Sequence, residues 1–352
     1  MAAFSIKNVA IKGIAACVPH MISENKSLAV FGEEGADDFM KSTGIERRHI
    51  VSENVCTSDL CYEASELLLK DLKWSKDSID CLIFVTQTPD YVLPATSCVL
   101  QNKIGLATNC YTLDISLGCS GWVYGMSVLS ALLSLEGMKR GLLLAGDTIS
   151  KICSVKDKST YPLFGDAGTV TALEYSKDEN EVFHFRMNTN GECSEAIHIP
   201  DGGYRNQVSL SSFIEKKQKE GIVSNSLQIV LDGMDVFSFG ISKAPESVNQ
   251  LITDFGLDKE KIDYFLFHQA NLFMNEKIRK KLKLPERKVP YSLKNFGNTS
   301  SATIPLTMVT QLQSFLKEKK LSFLGCGFGV GLSWGSIYFN TDHIVCPDLI
   351  TM

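Results

Sequence analysis

Two patterns of apolar residues alternate along the N-terminal half of the chain. Val9 to Ile14 reads as a strand. Leu60 to Leu72 places Leu60, Ala64, Leu67 and Leu68 at helical spacing, with Ser58 as a candidate cap, and predicts an amphipathic helix. Ile79 to Val85, IDCLIFV, is almost unbroken apolar sequence of strand length, the pattern of a strand covered on both faces. Thr112 to Ser116 predicts another strand. Gly121 to Leu135 predicts a buried helix, with Val123, Met126, Leu129 and Leu133 among its apolar residues, and Leu142 to Ala145 a further strand. This alternation predicts an α/β fold built in layers.

From Ser176 to Asn225 the chain is more polar and less periodic, with Gly202-Gly203 and the charged run Glu215 to Glu220. It reads as a connection with surface loops. The expected organisation is therefore an N-terminal half (1–176), a connecting region (177–225) and a C-terminal half (226–352). A weak internal repeat links the halves. Lys76 to Phe84 reads KDSIDCLIF and Lys259 to Phe267 reads KEKIDYFLF, with four identical positions. A second echo pairs the strand at Leu142 with one at Leu321. Chance similarity between buried strands and a duplicated unit both fit these echoes.

Composition narrows the class. The 352 residues are 44% apolar and 21% charged, which is ordinary globular usage. A net charge of −5 speaks against a dedicated nucleic-acid binder. No apolar run reaches the ~18 residues of a membrane span, and no signal peptide is read at the N-terminus. The eleven cysteines show no C-x-x-C spacing, so neither a zinc site nor a redox dithiol is expected. A reduced, cytoplasmic protein is the expectation.

Four segments carry candidate chemistry. In Asp114-Ile-Ser-Leu-Gly-Cys119-Ser-Gly a strand ends, Gly118 permits a sharp turn, and Cys119 opens a helix. A thiol at a helix N-terminus is expected to have a lowered pKa, and the turn is similar to a nucleophile elbow. A core cysteine at a tight turn would look the same. His268, in Phe265-Leu-Phe-His-Gln-Ala-Asn271, ends a buried strand, where ligands of α/β sheets collect; a structural histidine fits equally. Asn298 follows the turn at Gly297 and either presents its amide or caps the next helix. Gly325-Cys-Gly-Phe-Gly329-Val-Gly331-Leu-Ser-Trp-Gly335 looks superficially like a dinucleotide fingerprint, but a strand follows where that motif needs a helix. It reads better as a loop approaching a reacting group and lending it an N–H.

In this order, the elbow cysteine, H-Q-A-N, F-G-N-T-S-S-A and G-F-G-x-G-x-S-W-G resemble the 3-ketoacyl-acyl-carrier-protein synthase III family of the thiolase superfamily. Thr43-Gly-Ile-x-x-Arg48-His49 and Phe164-Gly-Asp166-Ala-Gly168 add to the resemblance, which runs from about Val9 to Phe339. It implies a thiolase-like five-layer αβαβα fold of two duplicated halves, usually dimeric, with the site between the halves. It implies that Cys119 accepts an acyl group from a thioester, and that the site decarboxylates malonyl-acyl-carrier-protein and joins the carbanion to that acyl group. His268 and Asn298 would hold the enolate, and the backbone N–H groups of Cys119 and Val330 the acyl oxyanion. No bound cofactor is implied; the acyl thioester, on acyl carrier protein or coenzyme A, is substrate.

The departures from the family pattern are local. Asp38 stands where the priming enzymes have a tryptophan against coenzyme A, Lys158 where they have its arginine partner, and Met234 where an asparagine touches the coenzyme. The aromatic–guanidinium sandwich is thus expected to be lost, favouring a carrier-protein donor and a specialised pathway. Lys277, Arg279, Lys280 and Lys281, with Lys283, Arg287 and Lys288, form a basic segment that suits an acidic carrier protein, although Phe273 replaces a family arginine. Leu93 falls where the family closes the partner subunit's acyl tunnel. Two other readings are open: acyl transfer to an oxygen, nitrogen or carbon nucleophile without decarboxylation, and a non-catalytic partner of another synthase. A hydroxymethylglutaryl-CoA-synthase-like activity would need a catalytic glutamate in the N-terminal half, and none is found.

Overall fold

The structure, a computed structural model, describes residues 2–32, 35–177, 181–217 and 221–352. The chain begins β1 (Ala2–Lys7), β2 (Val9–Val18), β3 (Ile22–Glu24), α1 (Ala36–Thr43), β4 (Arg47–His49), α2 (Thr57–Leu72), β5 (Cys81–Val85) and α3 (Thr96–Ile104). It continues β6 (Tyr111–Ile115), α4 (Gly121–Leu133), β7 (Arg140–Asp147), β8 (Ala167–Tyr175) and β9 (Val182–Thr189). Two short two-stranded ribbons follow, β10 (Ile197–His198) with β13 (Val230–Leu231) and β11 (Lys216–Lys217) with β12 (Val223–Ser224). The last part is α5 (Gly233–Phe255), β14 (Tyr264–Phe267), α6 (Leu272–Lys281), α7 (Leu293–Phe296), α8 (Thr303–Glu318), β15 (Lys320–Gly329), β16 (Ser333–Asp342) and β17 (Ile350–Thr351).

Alternate residues of the buried strands serve different layers, as a two-residue repeat requires. In β5, Ile83 and Val85 pack with Trp122 and Met126 of α4 and with Ile304 and Val309 of α8. Leu82 and Phe84 point the other way, against Leu60 and Leu68 of α2. On the second sheet, Phe265 and Phe267 of β14 pack with Val248 of α5 and Ile278 of α6. The layers are therefore α2 and α3, a six-stranded sheet, α4 and α8, a five-stranded sheet, then α5 and α6.

The sheets repeat one topology. The first runs β17-β2-β8-β7-β5-β6 and the second β1-β9-β16-β15-β14. In both, two antiparallel pairings (β2 to β8 to β7; β9 to β16 to β15) lead to one parallel pairing (β7 with β5; β15 with β14). The segment 76–84 and its echo at 259–267 thus lead into equivalent strands, and the echo at Leu142 and Leu321 marks equivalent strands too. Both echoes come from a duplicated unit.

The expected connection at 177–225 is in part sheet: it holds β9, which lies inside the second sheet between β1 and β16. Polar residues at alternate positions hid this strand. His184 stacks on Phe255, and Arg186 donates to Gln250 and Asp254 of α5. Of the charged run at 215–220, Lys216 and Lys217 form β11, and 218–220 lie outside the described residues. The N-cap of α2 is Cys56, whose N–H donates to Asp59 at 2.8 Å; Ser58 instead donates to Asp90. No helix among the described residues is long and apolar enough to cross a membrane.

Candidate active site

The turn between β6 and α4 is shaped by glycines. A Cβ at Gly118 would lie 2.4 Å from Gln87 Oε1 and 3.0 Å from Ser300 Oγ, and one at Gly121 would lie 2.5 Å from Val85 Cγ1. Cys119 sits in this turn, directly before Ser120, the N-cap of α4. From the other sheet, β15 passes close beneath it. A Cβ at Gly329 would meet Cys119 Cβ at 2.5 Å and Sγ at 2.8 Å, and one at Gly327 would meet the Cys119 carbonyl oxygen at 3.0 Å. The glycine-rich segment is therefore a floor under the cysteine. Ser120 Oγ, 2.7 Å from Ser333 Oγ, ties turn and floor together.

The Cys119 thiol differs from the expectation for a helix terminus. Burial pushes it up to about 12, and the neighbouring Asp147 carboxylate acts in the same direction. The N–H groups of Val330 and Cys119 and the hydroxyl of Ser300 favour the thiolate, but less strongly. Desolvation outweighs the helix terminus here, because a buried anion loses more from missing water than a few donors return. The resting group is a thiol.

His268 follows β14, and its N–H donates to the Cys326 carbonyl at 2.9 Å. Its Nδ1 lies 2.9 Å from Thr303 Oγ1, and its ring meets Phe328 edge-on. Burial lowers its pKa to about 3, so the imidazole is neutral. Thr303 Oγ1 also donates to the Ser300 carbonyl at 2.9 Å, and Nε2 is left for the cavity. Asn298 is held by its backbone, donating N–H to Leu163 and accepting from Gly165. Its Oδ1 accepts from the Ser300 N–H at 2.9 Å, which commits the oxygen and leaves the amide N–H groups as donors. Gly297, at φ +65°, makes the turn, and a Cβ there would lie 2.8 Å from the Leu163 carbonyl oxygen. Buried Arg48 fixes that loop by donating to the carbonyls of Tyr161 and Phe164 and to Asn25 and Ser23.

Cys119, His268 and Asn298 all line one cavity of about 510 Å³, with Ser300 and Val330 beside them. Most of the remaining wall is apolar, including Ile152, Leu163, Phe164, Val236 and Phe328. The family model described as 3-oxoacyl-[acyl-carrier-protein (ACP)] synthase III matches residues 113–191, and that for its C-terminal part matches 252–341. A beta-ketoacyl-[acyl-carrier-protein] synthase III of Streptococcus agalactiae is 33% identical over 93% of this chain and 97% of its own. One of Bacillus cereus is 30% identical over 94% and 98%. A 3-oxoacyl-(acyl-carrier protein) synthase structure from Burkholderia xenovorans superposes with a TM-score of 0.93 at 38% identity, covering 99% of each chain. The chain belongs to the 3-oxoacyl-acyl-carrier-protein synthase III family. It is an enzyme of that class with the thiolase-type fold, and decarboxylative condensation is the family reaction.

Other residues of this synthase stand differently from the sequence expectation. Arg279 does not face solvent. It is 9% exposed and donates to Glu276 and to the Leu284 carbonyl, so it braces the end of α6. Lys277, Lys280 and Lys281 are exposed, Lys277 lying over the Phe273 ring. Met234 and Phe273 stand exposed at the cavity mouth, and Phe273 stacks on Phe237. Leu93 is 79% exposed beside Tyr91 and Val92 and does not line this chain's own cavity. Phe39, next to Asp38, lines a second cavity of about 640 Å³ together with Phe31, Lys156 and Lys158. Sequence reasoning missed Asp147 and Ser300. The only signal for Asp147 was an acid closing the apolar run Gly141 to Gly146; Ser300 lay inside a motif assigned wholly to Asn298.

Proposed function

We propose that this synthase takes an acyl group from a thioester onto Cys119 and condenses it with the carbanion from malonyl-acyl-carrier-protein, releasing carbon dioxide and a 3-ketoacyl thioester. The observation that supports this most directly is the convergence of Cys119, His268 and Asn298 on one cavity from three separate elements. The acyl-transfer oxyanion is held by the N–H groups of Cys119 and Val330, both of which favour negative charge at the sulfur. Decarboxylation puts negative charge on the thioester oxygen, and neutral His268 with the Asn298 amide donates to it. Each such donor contributes about 2.7–4 kcal/mol to the barrier it serves. The chemistry needs no metal or organic cofactor. Transfer to another nucleophile without decarboxylation would have no use for this pair of enolate donors, and both are kept.

The acyl carrier protein, which is acidic, docks through Lys277, Lys280 and Lys281 beside the cavity mouth. The enzyme acts as a cytoplasmic homodimer. The outer strand β6 leaves its edge open with Tyr111 and Leu113 exposed, and Tyr91, Val92 and Leu93 project nearby. An open apolar edge of this kind pairs with another chain, and Leu93 would then reach the partner's acyl tunnel.

Intact-mass measurement after exposure to acyl thioesters tests the roles. Cys119→Ala should form no acyl adduct. Asn298→Ala should load Cys119 within several-fold of wild type, because it loses only the bond that orients Ser300, worth about 1 kcal/mol. Its malonyl decarboxylation should fall about 10²–10³-fold. A persistent adduct in the first variant, or equal loss of both steps in the second, refutes the assignment.

A further inference from the structure

The wall of the main cavity is mostly apolar, as an acyl chain requires, yet one polar side chain in it serves neither the oxyanion nor the enolate. Gln87 lies just past β5, is half-buried, and lines the cavity. Its backbone is fixed. The N–H donates to Asp147 Oδ1 at 2.7 Å, and the hydroxyls of Thr86 and Thr88 on either side bond to the same oxygen at 3.0 and 3.3 Å. The Gln87 side-chain amide makes no hydrogen bond among the described residues. Ser116, which follows the neighbouring strand β6, also lines the cavity, and its hydroxyl is likewise unpaired among the described residues.

The amide stands beside the nucleophile. A Cβ at Gly118, the residue before Cys119, would run into Gln87 Oε1, so the glycine keeps open the space that the amide occupies. Strands β5 and β6 lie side by side, with Val85 opposite Ile115. Gln87 and Ser116 therefore leave adjacent strand ends of the first sheet, where ligands of such sheets collect. The exposed mouth at Met234 and Phe273 is built instead from α5 and α6, beyond the second sheet. A thioester arm entering at that mouth carries its acyl group past Cys119 towards Gln87. A plain alkyl chain there would strip water from the amide and give no hydrogen bond in exchange, which is unfavourable. An oxygen on the acyl group offsets that loss. The amide holds both donors and an acceptor, so its full complement is a hydroxyl, which can accept and donate.

We infer that Gln87 selects the acyl donor, and that the group loaded on Cys119 is a short acyl chain with a hydroxyl on its third carbon. The amide adjoins the residue before the nucleophile, so the oxygen it meets is close to the thioester carbon. Gln87 Nε2 donates to the hydroxyl oxygen, or the hydroxyl donates to Oε1, and Ser116 offers a second hydroxyl on the adjoining strand end. Loading moves the acyl carbon from the donor sulfur to Sγ: the old carbon–sulfur bond breaks, the new one forms, and the Cys119 proton leaves on the donor thiol. The hydroxyl is unchanged by this step. Condensation then gives a ketoacyl thioester that keeps the hydroxyl two carbons beyond the new ketone.

This inference rests on Cys119 being the acyl acceptor. Equal amounts of butyryl- and 3-hydroxybutyryl-acyl carrier protein, each hydroxyl enantiomer in turn, compete for limiting enzyme. Intact mass counts the two adducts, which differ by one oxygen. The same competition is run with the coenzyme A thioesters, so that the carrier cancels from each ratio. Wild type should favour one hydroxyl enantiomer by at least about tenfold, the scale of one hydrogen bond whose loss leaves a desolvated partner. Gln87→Leu keeps the bulk and removes the amide, and should bring the ratio to equality or below it. Gln87→Met replaces it if the leucine variant does not fold, and the wild-type ratio is read without either. A wild-type ratio at or below equality overturns the inference and leaves Cys119 as the acyl acceptor. A preference that survives in either variant overturns the role of Gln87. No adduct on Cys119 from any donor removes the acyl-acceptor reading and this inference with it.

Discussion

Gly329→Ala should injure acyl loading through a single methyl group. The added Cβ would sit 2.5 Å from Cys119 Cβ and 2.8 Å from Sγ, whereas carbon contacts settle near about 3.5–4.0 Å. About 1 Å must be found. The strand cannot supply it, because β15 is paired along its length with β16 and through its middle with β14. The nucleophile turn must move instead, and it is itself pinned by Gly118 against Gln87 and Ser300. Overpacking of this kind costs about 1–3 kcal/mol of stability, and a 1 Å misplacement of a reacting group costs about 10²-fold in rate. The assay is the burst of acyl-Cys119 by rapid-quench intact mass, with urea unfolding of the same preparation. Gly325→Ala is the control, since its Cβ crowds the Ile337 methyl at 3.1 Å and otherwise makes ordinary contacts of 3.8–3.9 Å with Leu266 and Trp122, and should load nearly normally. A Gly329→Ala enzyme that loads within threefold of wild type would refute the claim that β15 positions the sulfur.

His268 is neutral when folded, with its pKa held near 3 against an ordinary 6.5, so the unfolded chain binds more protons between those values. Stability should therefore fall by a few kcal/mol as pH drops from about 6.5 towards 3, and His268→Gln should flatten that part of a urea-midpoint profile. Arg279→Ala should cost about 3 kcal/mol of stability, leaving Glu276 and the Leu284 carbonyl without their donor, while Lys280→Glu should leave stability alone and raise the KM for malonyl-acyl-carrier-protein in a salt-sensitive way. If Phe39 and Lys158 grip the nucleotide end of coenzyme A, Phe39→Ala should weaken loading from acetyl-coenzyme A and spare loading from carrier-protein donors; equal effects on both would show that the second cavity serves neither selectively.

The layered α/β class and most of the strands could be read directly because buried strands must be apolar on both faces. Cys81–Val85 and Arg140–Asp147 carry that mark along their length. Strand β9 does not. It alternates apolar residues with His184, Arg186 and Asn188, which are satisfied by the helix and strand beside them. Without that partner the same residues read as a loop. The motifs that carry Cys119, His268 and Asn298 stood out for a similar reason. Each joins a strand end to glycine or a capping residue, and tight turns limit which residues can occupy them. The Arg279 expectation failed because a run of basic residues does not say which member faces inward. A helix turns about 100° per residue, and only the return of the segment at Leu284 and Glu286 against α6 decided that Arg279 and not Lys280 is covered.

The amino-acid sequence by itself determined most of the elements and the family resemblance, because those depend on local periodicity and on residues beside each other in the chain. Tertiary structure alone decided the protonation state of the site. Cys119 and His268 are 149 positions apart in the sequence (268 − 119), and their shifts arise from burial by both sheets and from Asp147 and Ser300, brought in from β7 and from the loop before α8. Desolvation is a property of everything that surrounds a group. No local pattern records it, and it made the helix-terminal cysteine a thiol at rest.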